Sequence, residues 1–109
     1  MIAKRTEVWR SSFLAQEVSV AHWGEDGLPV LLFPTAGGDA EEVERFRMVD
    51  ALAPLVRLGR IQIFSCDSVP GQCWVSDAYP ASHCSWVQNR FDEFLYYELA
   101  PYMRHLAGG

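Results

Sequence analysis

The stretch LLFPTAGGDAEEVERF, residues 31–46, constrains the fold more than any other part of the chain. It runs from an apolar segment, PVLLF over residues 29–33, through a Pro/Gly turn into an acid-rich helix start. A strand apolar at successive positions has both faces covered, which is typical of the middle of a covered, parallel sheet. Gly37 and Gly38 let the chain turn without steric cost. Asp39 reads as an N-cap, and Glu42 three residues on completes a capping-box-like pair. Val43, Phe46, Val49, Leu52 and Val56 then recur at helical spacing and should face the sheet. A helix is therefore expected over residues 39–58, with a bend or early end at Pro54 and a stop at Gly59.

The other elements follow from alternation and punctuation. Residues 6–10 (TEVWR) and 17–23 (EVSVAHW) read as strands, and residues 24–27 as a turn. Residues 60–66 (RIQIFSC) read as a strand, reached by a right-handed crossover and parallel to 29–33. Residues 67–82 form a long loop rich in Pro, Gly and Ser, a length that often carries function. A second helix covers residues 85 to about 106, with Val87, Phe91, Phe94, Leu95, Leu99, Tyr102 and Leu106 on one face and Pro101 as an interruption. The order is β-β-β-α-β-α, an α/β class, and 109 residues allow a single domain, 1–109.

Charge narrows the partners. A formal net charge of −5, with no Lys/Arg run, argues against nucleic acid and against an anionic membrane surface. The start MIAKRTEVWR has no apolar leader segment, so a secretory signal is not expected. The longest apolar run is far too short to span a membrane. The three cysteines, Cys66, Cys73 and Cys84, read as free thiols of a reducing compartment, hence cytoplasmic, with a Cys73–Cys84 disulfide as an open alternative. Their spacing is no zinc pattern, His83 beside Cys84 chelates one metal awkwardly, and no metal or other cofactor is implied.

Two chemistries suit a strand–glycine turn–helix. One is a phosphate cradle, but G-x-G-x-x-G and G-x-x-x-x-G-K-[ST] are both absent, and Asp39, Glu41, Glu42 and Glu44 crowd the helix start. The other is an oxyanion loop, which needs only neutral N–H donors placed where charge develops; those donors are the N–H groups of Thr35 or Ala36. A plain turn with no chemistry is the commoner use of Gly-Gly. The position of this one, after an apolar strand at the carboxyl end of a parallel sheet, is where ligands of open α/β folds bind. Gly37, Cys66, Asp67 and Trp74 are the candidates to line a pocket there; a buried Cys and a turn Asp explain Cys66 and Asp67 equally well. Trp74, Tyr79 and Trp86 make either an apolar binding wall or a cover for the sheet edge. No internal catalytic triad is expected. His22 shares a strand face with Val18 and Val20, His105 lies near a helix C-terminus, and His83 has only sequence neighbours as nucleophiles.

The run PVLLFPTAGGDAEEVERF, then LVRLGRIQIFSCDSVPG, then SWVQNRFDEFLYYELAPYM, preceded by two strands, resembles the N-terminal half of an α/β-hydrolase. It is most similar to esterases grouped near esterase D and S-formylglutathione hydrolase. The resemblance covers nearly the whole chain and rests on element order and both helix ends. It implies a partial α/β-hydrolase sheet with antiparallel N-terminal strands, helices packed on it, and one half of an oxyanion hole. No G-x-S-x-G occurs, and a Pro34-Thr35-Ala36 run replaces the common His-Gly of such loops. The fold's order of Ser, acid and His would put all three catalytic residues after Gly109. The chain then reads as an N-terminal fragment of a serine esterase for carboxylic esters or thioesters, inactive alone and taking a small-molecule ester once completed. The alternative is a small non-enzymatic α/β binding module. Under either, an open sheet edge or the last helix offers a route to a homo-oligomer.

Overall fold

A computed structural model describes residues 2–35, 38–45, 47–74, 76 and 78–107. Four strands form one mixed sheet: β1 (Lys4–Ser11), β2 (Gln16–Trp23), β3 (Leu28–Leu32) and β4 (Ile61–Cys66), in the order β1-β2-β4-β3. β1 and β2 make an antiparallel hairpin, β2 runs antiparallel to β4, and β3 runs parallel to β4. The parallel neighbour expected across the β–α–β crossover is therefore present.

The central strand is not the one the apolar run suggested. β4 pairs on both sides and is buried from Gln62 to Cys66, whereas β3 lies outermost, its residues only half buried and Leu28 68% exposed. Apolar residues on both faces show that both faces are covered; they do not fix a strand's rank in the sheet.

Helices cover the two faces. On one, Ala21, Trp23 and Ile63 meet Ala40, Val43, Val49 and Val56 from α1 (Glu42–Arg45) and α2 (Met48–Arg57) and the turn before them. On the other, Val18, Val20, Phe64 and Cys66 meet Phe91, Phe94 and Leu99. Val87, Leu95, Tyr102 and Leu106 pack around that core, so the stripe read from the last helix lies on the chain's own sheet. Truncating a residue as deep as Phe94, fully buried, removes about 3–5 kcal/mol in such a setting.

Several local expectations are corrected. The helix over 39–58 is split: Arg47 adopts a left-handed φ of 62° between α1 and α2. Pro54 sits inside α2, which continues to Arg57. The capping box does not form, because Asp39 accepts the Glu41 N–H at 3.0 Å while Glu42 turns elsewhere. The loop over 67–82 contains a helix, α3 (Val69–Trp74), with Pro70 in its first turn, where a missing N–H costs nothing. Finally, Cys73 and Cys84 form a disulfide with Cα atoms 5.6 Å apart, joining α3 to α4 (Ala81–Phe94); Cys66 alone is a free thiol. Closing so short a loop stabilises by roughly 2–3 kcal/mol on chain-entropy grounds. Phe46, expected on the sheet-facing side, lies outside the described residues.

Pro101 does not end the last helix. Residues Leu95–Leu99 widen into a π-helical turn, with the Ala100 N–H donating to the Leu95 carbonyl, before α5 (Ala100–Leu106). A proline ring clashes with the carbonyl four residues back, and a wider turn relieves that clash. The same turn presents Glu98 to the hairpin, where its carboxylate accepts Trp9 Nε1–H at 2.8 Å and the Ser11 hydroxyl at 2.8 Å.

His22 behaves as a core residue with one polar end unsatisfied. It is buried and stacked on Phe64 at 4.1 Å. Gln62 Nε2 donates to the Gly27 carbonyl, which turns its Oε1 toward His22 Nε2 at 2.8 Å, so Nε2 carries the proton. Nδ1 is buried with no partner among the described residues. Burial lowers the His22 pKa below its ordinary 6.5, the Gln62 hydrogen bond opposing this only in part. Because the folded pKa is depressed, the neutral ring's contribution is complete above the unfolded value and is lost as pH falls through it. Urea unfolding is expected to show stability falling between about pH 7 and pH 5, with a smaller slope in His22→Gln; identical slopes would refute this account.

Candidate functional site

The parallel pair β3 and β4 delivers two segments to the same edge of the sheet: Phe33–Thr35 after β3, and Asp67–Ser68 after β4. Asp67 fastens them together. Its Oδ1 accepts the Ala40 N–H at 3.0 Å and its Oδ2 accepts the Ser19 N–H at 2.9 Å, while its own N–H donates to the Ser19 carbonyl at 3.2 Å. One side chain thus joins β2, β4 and the loop that follows β3. Next to it, the Gly38 carbonyl accepts the Ser68 N–H at 3.0 Å and Gln72 Nε2–H at 3.3 Å, which holds the loop to α3.

The loop closes on itself through Glu42. The Thr35 N–H donates to Glu42 Oε2 at 2.6 Å, and the Thr35 hydroxyl donates to Oε1 at 2.6 Å. Glu42 is 7% exposed. A Cβ at Gly38 would meet the tip of the Glu42 side chain, so glycine leaves the space that the carboxylate occupies. The Gly38 N–H donates to the Thr35 carbonyl at 2.8 Å, closing the turn. Beside this pair lies a cavity of about 220 Å³, lined by Phe33, Pro34, Thr35, Glu42, Val43 and Met48. A separate hollow of about 490 Å³ is at the opposite end of the strands, between Gly24–Asp26 and Val56–Gly59, away from these groups.

The remaining acids of the helix start are neutralised. Lys4 Nζ contacts Glu41 at 2.6 Å and Glu44 at 2.7 Å, and Arg45 contacts Asp39 at 3.0 Å. Glu44 also accepts Trp23 Nε1–H at 2.9 Å. The Lys4 and Trp23 hydrogen bonds hold the Glu44 carboxyl below its ordinary pKa, and Glu41 and Glu44 raise that of Lys4. Sequence reasoning missed Lys4 as the partner, since it lies on β1, far from the acids along the chain.

Of the residues expected at this edge, Thr35 is present with its N–H engaged, and Ala36 and Gly37 lie outside the described residues. Asp67 acts as the latch described above. Cys66 is completely buried among Phe91, Phe94 and Val18, and burial pushes its thiol to about 12, which makes it inert. Trp74 stands half exposed on α3. Tyr79 and Trp86 come together through His83, with ring centroids 4.9 Å and 5.9 Å apart, and Arg90 lies 5.5 Å over Trp86. A smaller hollow of about 240 Å³ beside Tyr79 and His83 reaches Gln16, Gln72 and Val87. Among the described residues no group of three His, Cys, Asp or Glu side chains converges as a metal site, and no helix is long and apolar enough to cross a membrane.

Solved structures share this fold. A ferulic acid esterase superposes with a TM-score of 0.60 at 14% identity, over 96% of this chain. The apoenzyme of S-formylglutathione hydrolase (FrmB) from Staphylococcus aureus superposes with a TM-score of 0.52 at 7% identity, over 89% of this chain. The fold is a partial α/β-hydrolase fold. This chain spans 43% of each of those two proteins, and identities this low establish the fold alone. No protein-family model and no curated protein matches the sequence.

Two measurements check this geometry. Asp67→Ala strips partners from two N–H groups and is expected to lower stability by roughly 2–3 kcal/mol, read as a shifted urea midpoint at unchanged slope. Without reductant, the native chain is expected to show no thiol reactive to a disulfide reagent, one after unfolding, and three after unfolding with reduction.

Proposed function

We propose that the chain is the N-terminal part of a serine esterase or related hydrolase acting on carboxylic esters or thioesters, and that its loop after β3 serves as the oxyanion loop. The observation that carries this reading is the loop's placement: it stands at the carboxyl ends of the parallel β3–β4 pair, latched by Asp67, in a fold shared with a ferulic acid esterase and an S-formylglutathione hydrolase. In the completed mechanism a serine outside these residues attacks the substrate carbonyl, and the N–H of Thr35 or Ala36 donates to the tetrahedral oxyanion. The chain itself contains no G-x-S-x-G, so it supplies substrate-side electrostatics and no nucleophile. The partner is a small ester; the acidic balance and the paired cations favour neither nucleic acid nor an anionic membrane.

The compartment follows the cysteines. Three free thiols would suit the cytoplasm, whereas a Cys73–Cys84 disulfide suits an oxidising compartment, and the latter is the assignment we prefer. Under the alternative of a non-enzymatic module the last helix would be the interface, and its apolar face lies instead on its own sheet. A homo-oligomer would then form at an open sheet edge, the outer side of β1 or of β3, each of which pairs on one side only among the described residues.

The 109-residue chain is expected to leave p-nitrophenyl acetate unhydrolysed above the buffer rate and to take no label from a serine-directed phosphonate. A longer product of the same reading frame, carrying a serine elbow, is expected to do both. Phosphonate-sensitive turnover by the short chain would refute the assignment of roles.

A further inference from the structure

We infer that the Thr35 donor is self-capped: the Glu42 carboxylate is an internal ligand of an oxyanion-binding cradle made by the Thr35 N–H and hydroxyl. Both oxygens of a buried carboxylate are held at 2.6 Å, one by each Thr35 donor, and Gly38 leaves the space that lets it approach. Charge-assisted bonds of this kind are shorter and stronger than neutral ones. A carboxylate there also places a full negative charge where a tetrahedral intermediate would develop its own, and like charges in a buried site repel strongly. The cradle therefore accepts a small carboxylate-like anion or a substrate oxyanion only when Glu42 withdraws. The neighbouring acids do not prevent this, because Lys4 answers Glu41 and Glu44, and Arg45 answers Asp39. The adjoining cavity of about 220 Å³ gives the displaced side chain, or a short acyl group, a place to go.

This rests on the oxyanion reading for its meaning in catalysis, yet its test reads the Thr35 amide and no turnover, so each can fail without the other. Formate is titrated into isotope-labelled wild type, Glu42→Ala and Glu42→Gln, and the Thr35 amide resonance is followed. The wild type is expected to show no saturable shift, because its own carboxylate fills the cradle. Glu42→Ala is expected to show a saturable shift of the Thr35 amide. Glu42→Gln, nearly isosteric, keeps the fold and is expected to move the Thr35 amide proton upfield, as a neutral acceptor replaces a charged one. An unmoved Thr35 amide in Glu42→Gln overturns the inference, as does a folded Glu42→Ala that ignores formate. Should Glu42→Ala fail to fold, the Glu42→Gln shift decides.

Discussion

The geometry of the loop after β3 depends on the Asp67 carboxylate. Asp67 is the first residue after the central strand, so its backbone is fixed by β4. From there one oxygen reaches the Ser19 N–H within β2, and the other reaches the Ala40 N–H. Two acceptor oxygens satisfy two N–H groups that would otherwise face the half-buried sheet edge unpaired, each at a cost of about 1–3 kcal/mol. The consequence is positional. A glycine-containing loop has little stiffness of its own, and this one takes its place from contacts at both ends: Asp67 at Ala40, Ser68 and Gln72 at Gly38, and Glu42 at Thr35.

The acids at the helix start decide what that loop is suited to. Taken as a cluster, four carboxylates argue against any anion. The structure divides them. Three are paired with two cations, Lys4 shared by Glu41 and Glu44 and Arg45 on Asp39, and the fourth enters the loop. A phosphate cradle gains nothing from this arrangement, since each cation is already engaged by carboxylates and none faces the loop. A site that needs only neutral N–H donors is compatible with it, and its one obstacle is the carboxylate already seated there.

Much of the fold was legible in the sequence. Period-two alternation located the hairpin strands, and the face holding Val87, Phe91, Phe94 and Leu99 is the face that packs. These are averages over many residues and survive local exceptions. What was not legible turned on single contacts at long range. Glu42 fits a capping box by spacing, and only the position of Thr35 seven residues earlier diverts it. Nothing near Arg47 announces a left-handed residue. The Pro-Gly pair at 70–71 reads as loop, yet a proline in the first turn and a disulfide at Cys73 let six residues coil. Cys73 and Cys84 pair because α3 returns the chain toward α4, a fact of the fold rather than of the spacing.

These contacts also set where the molecule can yield. The segment 81–106 is fixed near its start by the disulfide and near its end by Glu98, which the π turn before Pro101 aims at Trp9 and Ser11. The hairpin, β4 and the helices on both faces are tied by buried apolar packing that does not open in small steps. Asp67 holds backbone groups of the sheet itself, so its release would expose strand ends. The Thr35–Glu42 pair differs. It joins a side chain to a loop rather than strand to strand, and a cavity adjoins it. Rotation of one side chain frees both Thr35 donors without breaking a strand pairing. Freedom is thereby concentrated at the contact on which the proposed oxyanion role of the loop depends.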